Sequence, residues 1–565
     1  MSGEAPHTMI LASAGSGKTY ALVNRYIRLL ALGAEPSRII ALTFTRKAAG
    51  EFLENIFMRL LEASSDAEAA AKLSSEIDLG DAPPDWYREL MKKLVHDIGE
   101  LGLGTIDSFF GRIVGAFPYE LGLTRPHRIM EGYEEDMARR EAMEALMAGG
   151  DEEHEEELLQ LYKQFTWGAE EKTVFRTFEK SLLASHAVFL ERGRSPWGDP
   201  AAIFRTTPWW AGRLPEKDDL IEEIDDLLGE MDLSKNFFNA FRNLIDSFST
   251  WHPGQPVNTW GKLLQVLLEA RNDLAHGEAI LSFNRGTLEI GQPLAGKLLD
   301  MLRFVFQKEI GRKILVTQAL GRLLEKYDGL YEASIRGTGS LVFADLPALL
   351  IKGLYESKPV FTDQDLIYRL DGRSEHWLLD EFQDTSRIQW KVLSAFVEEV
   401  LQDPGGERTL FYVGDVKQSI YGWRGGDSRL FGEIFRRYGN KGGNIAREHL
   451  HVSWRSAPPV LECVNTLFGN AEAIGLTGKE VARRWLDNWK AHEASPKTGD
   501  LPGYAAWGQV EKDVPLEEGC LSLLQSIKPL ERGLSCAILM RDNASVAAMT
   551  QALRSAGIPA SMEGV

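Results

Sequence analysis

The sequence predicts an α/β fold whose two stretches of strand-and-helix rhythm are separated by a long, mostly helical insertion. Three observations lead there. Short apolar runs alternate with helix-like segments over residues 8–115, and the same rhythm returns at 341–447. Between them the pattern is amphipathic at helical spacing, without clear strands.

In the first stretch, TMILA is a strand and a helix follows from about Lys18. Leu22, Val23, Tyr26, Ile27 and Leu30 share one face of that helix. RIIALTF is a second strand, and another helix comes after it. Within the insertion (116–340), Leu220, Ile221, Ile224, Leu227 and Leu228 recur at helical spacing, and KLLQVLLEARNDL (262–274) reads as a further helix. The acidic residues Glu134, Glu135 and Asp136 and the run DEEHEEE (151–157) read as a solvated helix face. Trp209, Trp210, Trp251 and Trp260 read as core or domain-interface anchors. Past 341, HWLLD and TLFYVGD are strand candidates. The last region, 448–565, ends in CAILM as a strand, then a helix closed by Gly557 with Pro559 two residues on. SMEGV gives no sign of a domain finishing, so the expectation is a chain that stops inside a βα domain.

Composition narrows the class. At roughly 150 residues per domain, 565 residues give three or four domains. With 44% apolar and 26% charged residues, such a chain buries several cores without needing disulfides or metals. Cys463, Cys520 and Cys536 lie far apart with no C-x-x-C pair, which argues against a disulfide framework or a zinc or iron–sulfur site. No apolar run approaches about 18 residues, and MSGEAPHTMI lacks the basic-then-apolar pattern of a secretory signal. The expectation is a cytoplasmic, reduced protein with no membrane partner. Lys and Arg number 63 against 82 Asp and Glu, a net charge of −19. A uniform coat of that sign repels phosphate, so nucleic acid could be met only through a local basic or aromatic channel.

Three motifs carry chemistry. The first is ASAGSGKT (12–19), directly after a strand candidate. Gly15 and Gly17 allow a tight turn in which the backbone N–H groups of Ala14, Gly15, Ser16 and Gly17 cradle phosphate oxygens. Lys18 reaches the β- and γ-phosphates, and the Thr19 hydroxyl is placed for Mg²⁺. The following helix directs its positive end at the anion. Position 12 is Ala rather than Gly, and an ordinary glycine-rich strand-to-helix turn has the same composition. The second is LLDEFQDTSRIQW (378–390), where Asp380 and Glu381 close a strand with Gln383 and Asp384 just downstream. One carboxylate suits an Mg²⁺ shell, while its neighbour orients and deprotonates an attacking water. The third is LFYVGDVKQSIYGWRGGD (410–427), in which Gln418 suits a γ-phosphate sensor. Tyr421 and Trp423 beside Arg424 suit stacking on single-stranded bases, although YGWRGG also fits a packed loop.

These blocks, in this order, resemble superfamily 1 DNA helicases of the UvrD/Rep type. RIIALTFTRKAAGEF (38–52) is similar to the family's motif Ia, whose Phe (here Phe44) stacks on a base and whose Thr (here Thr43) lies along the strand. GTIDSFF (104–110) resembles the TxHS segment of the DNA path, which brings in Ser108. LHVSWRSAPPVLECVN (450–465) resembles LxxNYRS, whose arginine (here Arg455) reaches the γ-phosphate from a second RecA-like domain. RLDGRSEHWLLDEFQDTSRIQW and GIPASMEG look most like the AddA/RecB branch of double-strand-break resection helicases. Departures are visible too. No Gln precedes the glycine-rich loop, the first being Gln160. Asp107 replaces the His of TxHS, and Ser453 and Trp454 stand where the family has Asn and Tyr.

The resemblance implies a RecA-like domain built from 1–115 and 341–447, a 1B-like helical insertion at 116–340, and an incomplete second RecA-like domain at 448–565. It implies an ATP- and Mg²⁺-dependent 3′→5′ translocase or helicase on single-stranded DNA or DNA ends, acting in double-strand-break repair and recombination. An AddB/RecC-like protein would be its partner. Two other readings remain: a stand-alone UvrD/Rep-like repair helicase, and a truncated nucleotide-gated DNA-binding module that does not unwind. In each, Lys18, Thr19, Asp380, Glu381, Gln418 and Arg455 serve the nucleotide, and Thr43, Phe44, Ser108, Tyr421, Trp423 and Arg424 serve DNA.

Overall fold

The computed structural model describes residues 5–148, 152–167, 174–192, 197–284, 286–355, 359–370, 374–403, 407–422, 425–439 and 445–562. The chain forms two compact units. One comprises Met1–Leu11 with Thr19–Glu448, the other Ala12–Lys18 with His449–Val565.

Strands β1 (His7–Ala12), β2 (Ile39–Thr43) and β3 (Gly102–Thr105) come early in the chain. The insertion contributes β4 (Arg128–Ile129), β5 (Ala279–Phe283), β6 (Gly286–Ile290) and β7 (Ser340–Leu341). After it come β8 (His376–Leu379), β9 (Thr409–Gly414) and β10 (Ile445–Leu450), then the short β11 (Val452–Ser453) and β12 (Glu493–Ala494). The central sheet has the order β10-β1-β9-β8-β2-β3, and the pairs from β1 to β3 are all parallel. Every residue of β1, β2, β8 and β9 is buried. Strands covered on both faces need apolar side chains in both directions, hence unbroken runs rather than alternation.

Helices supply that cover. Ile106–Ala116 lays Phe109, Phe110 and Ile113 against one face, and Arg387–Leu401 adds Val392, Leu393 and Val397. Trp377 of β8 meets Phe109 edge-on at 5.3 Å. The helix Lys18–Ala31 buries Leu22, Val23, Tyr26 and Ile27, and Tyr26 packs edge-on against Phe52 of the helix Arg46–Ser65 at 5.7 Å.

The insertion holds two helical cores joined by one 41-residue helix, Leu294–Ser334. Trp251 and Trp260 are buried in one of these cores, while Trp209 and Trp210 are half-buried around Phe306. Two details differ from the sequence reading. The insertion contains a hairpin, β5–β6, whose residues Ala279, Leu281 and Ile290 point inward and Ile280 outward. Segment 262–274 is two helices, Lys262–Glu269 and Arg271–His276, divided by a tightened turn at Ala270.

In the second unit, β11 and β12 pair in parallel and are followed by the helices Leu516–Ile527 and Asn543–Ser555. Gly557, at φ 76°, follows the last helix as expected. Cys536–Met540, by contrast, is not a strand, and Leu539 is 94% exposed. A strand exists only through ladder bonds to a neighbour, and none is paired with this segment among the described residues.

The first unit buries two histidines at the sheet. His7 Nδ1 accepts a hydrogen bond from the Leu410 N–H at 2.9 Å, and His376 Nδ1 lies 3.1 Å from the Thr409 hydroxyl oxygen. Burial, helped by the nearby Arg25 charge, lowers the His376 imidazole from 6.5 to about 4. The unfolded chain therefore binds the proton more readily, and this part of the stability is complete above pH 6.5 and drains away as pH falls toward 4. Urea unfolding between pH 7.5 and 4.5 should show His376→Gln losing about 2–3 kcal/mol less than the parent protein.

Candidate active site

Because the sheet is parallel, the C-terminal ends of β1, β9, β8 and β2 lie at one edge, in register through Leu11 with Gly414, Leu379 with Tyr412 and Leu42 with Leu379. The sequence motifs are attached to these ends.

Beyond β1, Gly15 (φ 70°) and Gly17 (φ 89°) both occupy the left-handed region, where a side chain would be strained. Ser16 Oγ donates to the Ser13 carbonyl at 2.7 Å and accepts from the Ser13 N–H at 3.1 Å, tying the loop to itself. The helix then starts at Lys18 with no acidic residue in its first turn, so its positive end is suited to an anion. Lys18 is half-buried; Ala14 and Thr19 are exposed.

Within the second unit, this loop packs against residues of the 450–465 motif. The Gly15 carbonyl accepts the Trp454 N–H at 2.8 Å, and the Leu450 carbonyl accepts the Ser13 N–H at 2.9 Å. A methyl group on Gly15 would come within 2.9 Å of Arg455 Cβ, so Arg455 stands directly beside the loop. Ser453, in the place of the family's Asn, is buried. Its hydroxyl accepts the Ser456 N–H at 3.2 Å, which turns the backbone toward the following helix.

At the end of β8, the Asp380 N–H donates to the Leu42 carbonyl at 2.9 Å, and Asp380 Oδ1 accepts the Glu381 N–H at 2.8 Å. Glu381 itself has φ 46°, a left-handed conformation that few residues other than Gly adopt. At the end of β9, Asp415 is buried. It pairs with Lys417 at 2.8 Å and accepts from Gln418 Nε2 at 2.7 Å. Gln383, which sequence reasoning noted only as a neighbour of the acids, connects the two strand ends: its Nε2 donates to Glu381 Oε2 at 2.6 Å and its Oε1 accepts the Asp415 N–H at 2.9 Å. No periodicity signals this, because the contact depends on β8 and β9 being adjacent.

The residues expected along DNA fare differently from one another. Phe44 and Tyr421 touch, with ring centroids 4.5 Å apart and planes at 38°. Thr43 is buried and its hydroxyl donates to the Thr45 carbonyl at 3.0 Å. The Ser108 hydroxyl donates to the Thr105 carbonyl at 2.7 Å, part of a capping box that opens Ile106–Ala116. Asp107 accepts a hydrogen bond from Gln389 Nε2 at 3.3 Å. Trp423 and Arg424 lie outside the described residues.

Among the described residues no group of three or more His, Cys, Asp or Glu side chains is arranged to hold a metal, and no helix is long and apolar enough to cross a membrane.

Comparison with known proteins agrees with these features. Residues 3–438 match the model of the UvrD/REP helicase N-terminal domain. The chain is also similar to the A subunits of bacterial ATP-dependent helicase/nucleases. It is 24% identical to that of Streptococcus agalactiae over 502 residues, 82% of this chain and 37% of that protein. It is 24% identical to that of Streptococcus sanguinis over 497 residues (81% and 38%), and 24% identical to that of Syntrophomonas wolfei over 537 (86% and 40%). The chain thus spans about two fifths of the length of these relatives. A glycine-rich loop after β1, paired acids after β8 and a family match over most of the sequence lead to one conclusion: this chain belongs to the UvrD/REP helicase family.

Proposed function

We propose that this protein is an ATP-dependent single-stranded DNA translocase or helicase of 3′→5′ polarity, acting in double-strand-break repair and recombination in the manner of AddA/RecB. One observation carries the reading. In the strand order β9-β8-β2, the central strand is followed directly by Asp380 and Glu381, while the segments following its two neighbours bring Tyr421 and Phe44 into contact. Groups suited to hydrolysis and groups suited to base stacking therefore share one edge of one sheet.

In this reading, residues 14–17 cradle the phosphates through backbone N–H groups, with Lys18 on the β- and γ-phosphates. Thr19 and Asp380 offer hydroxyl and carboxylate oxygens, which fit Mg²⁺ because that ion takes one or two protein oxygens and completes its shell with phosphate and water. Bound there, Mg²⁺ would neutralise phosphate charge. Glu381 takes a proton from the attacking water as the new P–O bond forms. The bond to the β-phosphate oxygen breaks, and ADP and inorganic phosphate leave. Gln418 senses the γ-phosphate, and Arg455, beside Gly15, stabilises its charge. Phe44 and Tyr421, with Ser108, Trp423 and Arg424, follow the strand, while buried Thr43, its hydroxyl held by the Thr45 carbonyl, supports the turn that carries Phe44. Stacking supplies affinity without a basic coat, in keeping with a net charge of −19.

The first RecA-like domain comprises 1–115 and 341–447 around a 1B-like insertion, and 448–565 belongs to the second. Three free cysteines suit a reducing cytoplasm. The relatives are named as one component of a multi-component helicase/nuclease, which favours an AddB/RecC-like partner over a stand-alone helicase.

Three variants test the roles. Lys18→Ala should abolish DNA-stimulated ATPase; normal turnover in a phosphate-release assay would remove the loop from the nucleotide site. Glu381→Gln should bind nucleotide as before but hydrolyse it about 10²–10⁴-fold more slowly, and an unchanged rate would mean another base. Tyr421→Ala should weaken binding to a fluorescent oligo-dT by about 5- to 100-fold; equal affinity would return the residue to loop packing.

A further inference from the structure

We infer that Gln383 is the positioning residue that aims the Glu381 carboxylate and links it to the segment carrying Gln418 and Tyr421. The inference rests on the proposed hydrolytic role of Glu381 and adds to it a residue outside the expected nucleotide set.

Gln383 is 1% exposed, and each arm of its amide is committed. Nε2 donates to Glu381 Oε2 at 2.6 Å and to Asp384 Oδ2 at 3.2 Å, while Oε1 accepts the Asp415 N–H at 2.9 Å. The orientation is unambiguous: a flipped amide would set its oxygen against two carboxylates and its NH₂ against an N–H. The backbone carbonyl of the same residue accepts the Ser419 hydroxyl at 3.3 Å. Gly414, the last residue of β9, makes room for this arrangement, since a Cβ there would overlap Gln383 Oε1 and lie 2.9 Å from Phe431.

The consequence is directional. Glu381 has a left-handed backbone, and its own N–H is held by Asp380. Its carboxylate needs a fixed donor if one oxygen is to face a water, and Gln383 supplies that donor from a buried site. Through Asp415, which also accepts from Gln418, and through Ser419, the same side chain and its backbone contact the path toward Tyr421. A shift of the 415–421 segment therefore moves the amide, and the amide moves the carboxylate. A misplacement of about 1 Å at such a base can cost about 10²-fold.

The test is steady-state ATPase of the full chain with and without oligo-dT, from pH 5.5 to 9, beside thermal melting. Gln383→Met, of similar volume, should lower kcat by about 10- to 100-fold with KM changed less than about threefold. In the Glu381→Gln background it should lower kcat by less than about twofold, because residues acting as a unit are not additive. A merely structural role predicts the opposite pattern: full multiplication of the two losses, or a loss matched by a fall in melting temperature and recovered on cooling. Either result overturns the inference, as does an unchanged kcat. Should Gln383→Met not fold, Gln383→Asn decides. The same amide on a shorter side chain, withdrawn from Glu381 Oε2, should lower kcat by at least about tenfold with KM changed less than about threefold, and an unchanged kcat overturns the inference. A parent protein without ATPase, or one whose ATPase survives Lys18→Ala, removes the functional reading itself and the inference with it.

Discussion

Everything in the first unit depends on the common direction of β1, β9, β8 and β2. Parallel strands must be joined by crossovers, and crossovers place helices on both faces. That cover buries Leu11, Leu42, Leu379 and Val413, and it leaves the strand ends as the place where polar side chains, Asp380 and Asp415 among them, are held in hydrogen bonds at the margin of the core. Asp380, Glu381, Asp415 and Phe44 all follow immediately from strand ends. Their proximity is a property of the sheet's direction, and their fine geometry is a property of a few close contacts.

Those contacts are electrostatic and steric together. Glu381 holds a backbone conformation costing about 1–2 kcal/mol outside Gly, and the Asp380 carboxylate on its N–H is one contact that fixes it. Downstream, Arg387 donates to Asp427 at 2.6 Å and to Glu433 at 2.8 Å, and the Asp427 N–H returns to the Thr385 carbonyl at 3.0 Å. Hydrogen bonding from Arg429 first, and from Arg387, outweighs burial and draws the Asp427 carboxyl down to about 2. It stays ionised over the working range, so the 385–389 and 425–433 segments remain joined. Arg429 is exposed, and its pairing is worth little in stability by itself. The contribution lies in fixing one loop against the other.

Much of this was legible in the sequence. HTMILA, IIALT, HWLL and TLFYVG stand out because doubly buried strands are unbroken apolar runs. The glycine-rich loop stands out because two left-handed residues require Gly. The hairpin β5–β6 escaped notice because each of its strands has only five residues, too few to separate alternation from the surrounding helical pattern. Cys536–Met540 shows the converse: apolar content made it resemble a strand, but pairing requires a neighbour. Gln383 and the Asp107–Gln389 contact could not be read at all. They join positions 32 and 282 residues apart, the first across adjacent strand ends and the second between two helices that only the folded chain brings together. The Ser108 cap was within reach, since Thr105 and Ser108 stand at the spacing of a helix start.

The helix Leu294–Ser334 has one more consequence. Its 41 residues extend about 60 Å, and they serve one helical core through Leu298 and Leu302 and the other through Leu323 and Tyr327. Just beyond its end, Arg336 clasps Asp328 at 2.6 Å and Asp345 at 3.0 Å in a buried knot. The insertion is thus built on a single strut anchored at its base. A tilt imposed at the Arg336 end would be magnified at the far end in proportion to the length of the rod, so that a small displacement at the root becomes a long sweep at the tip.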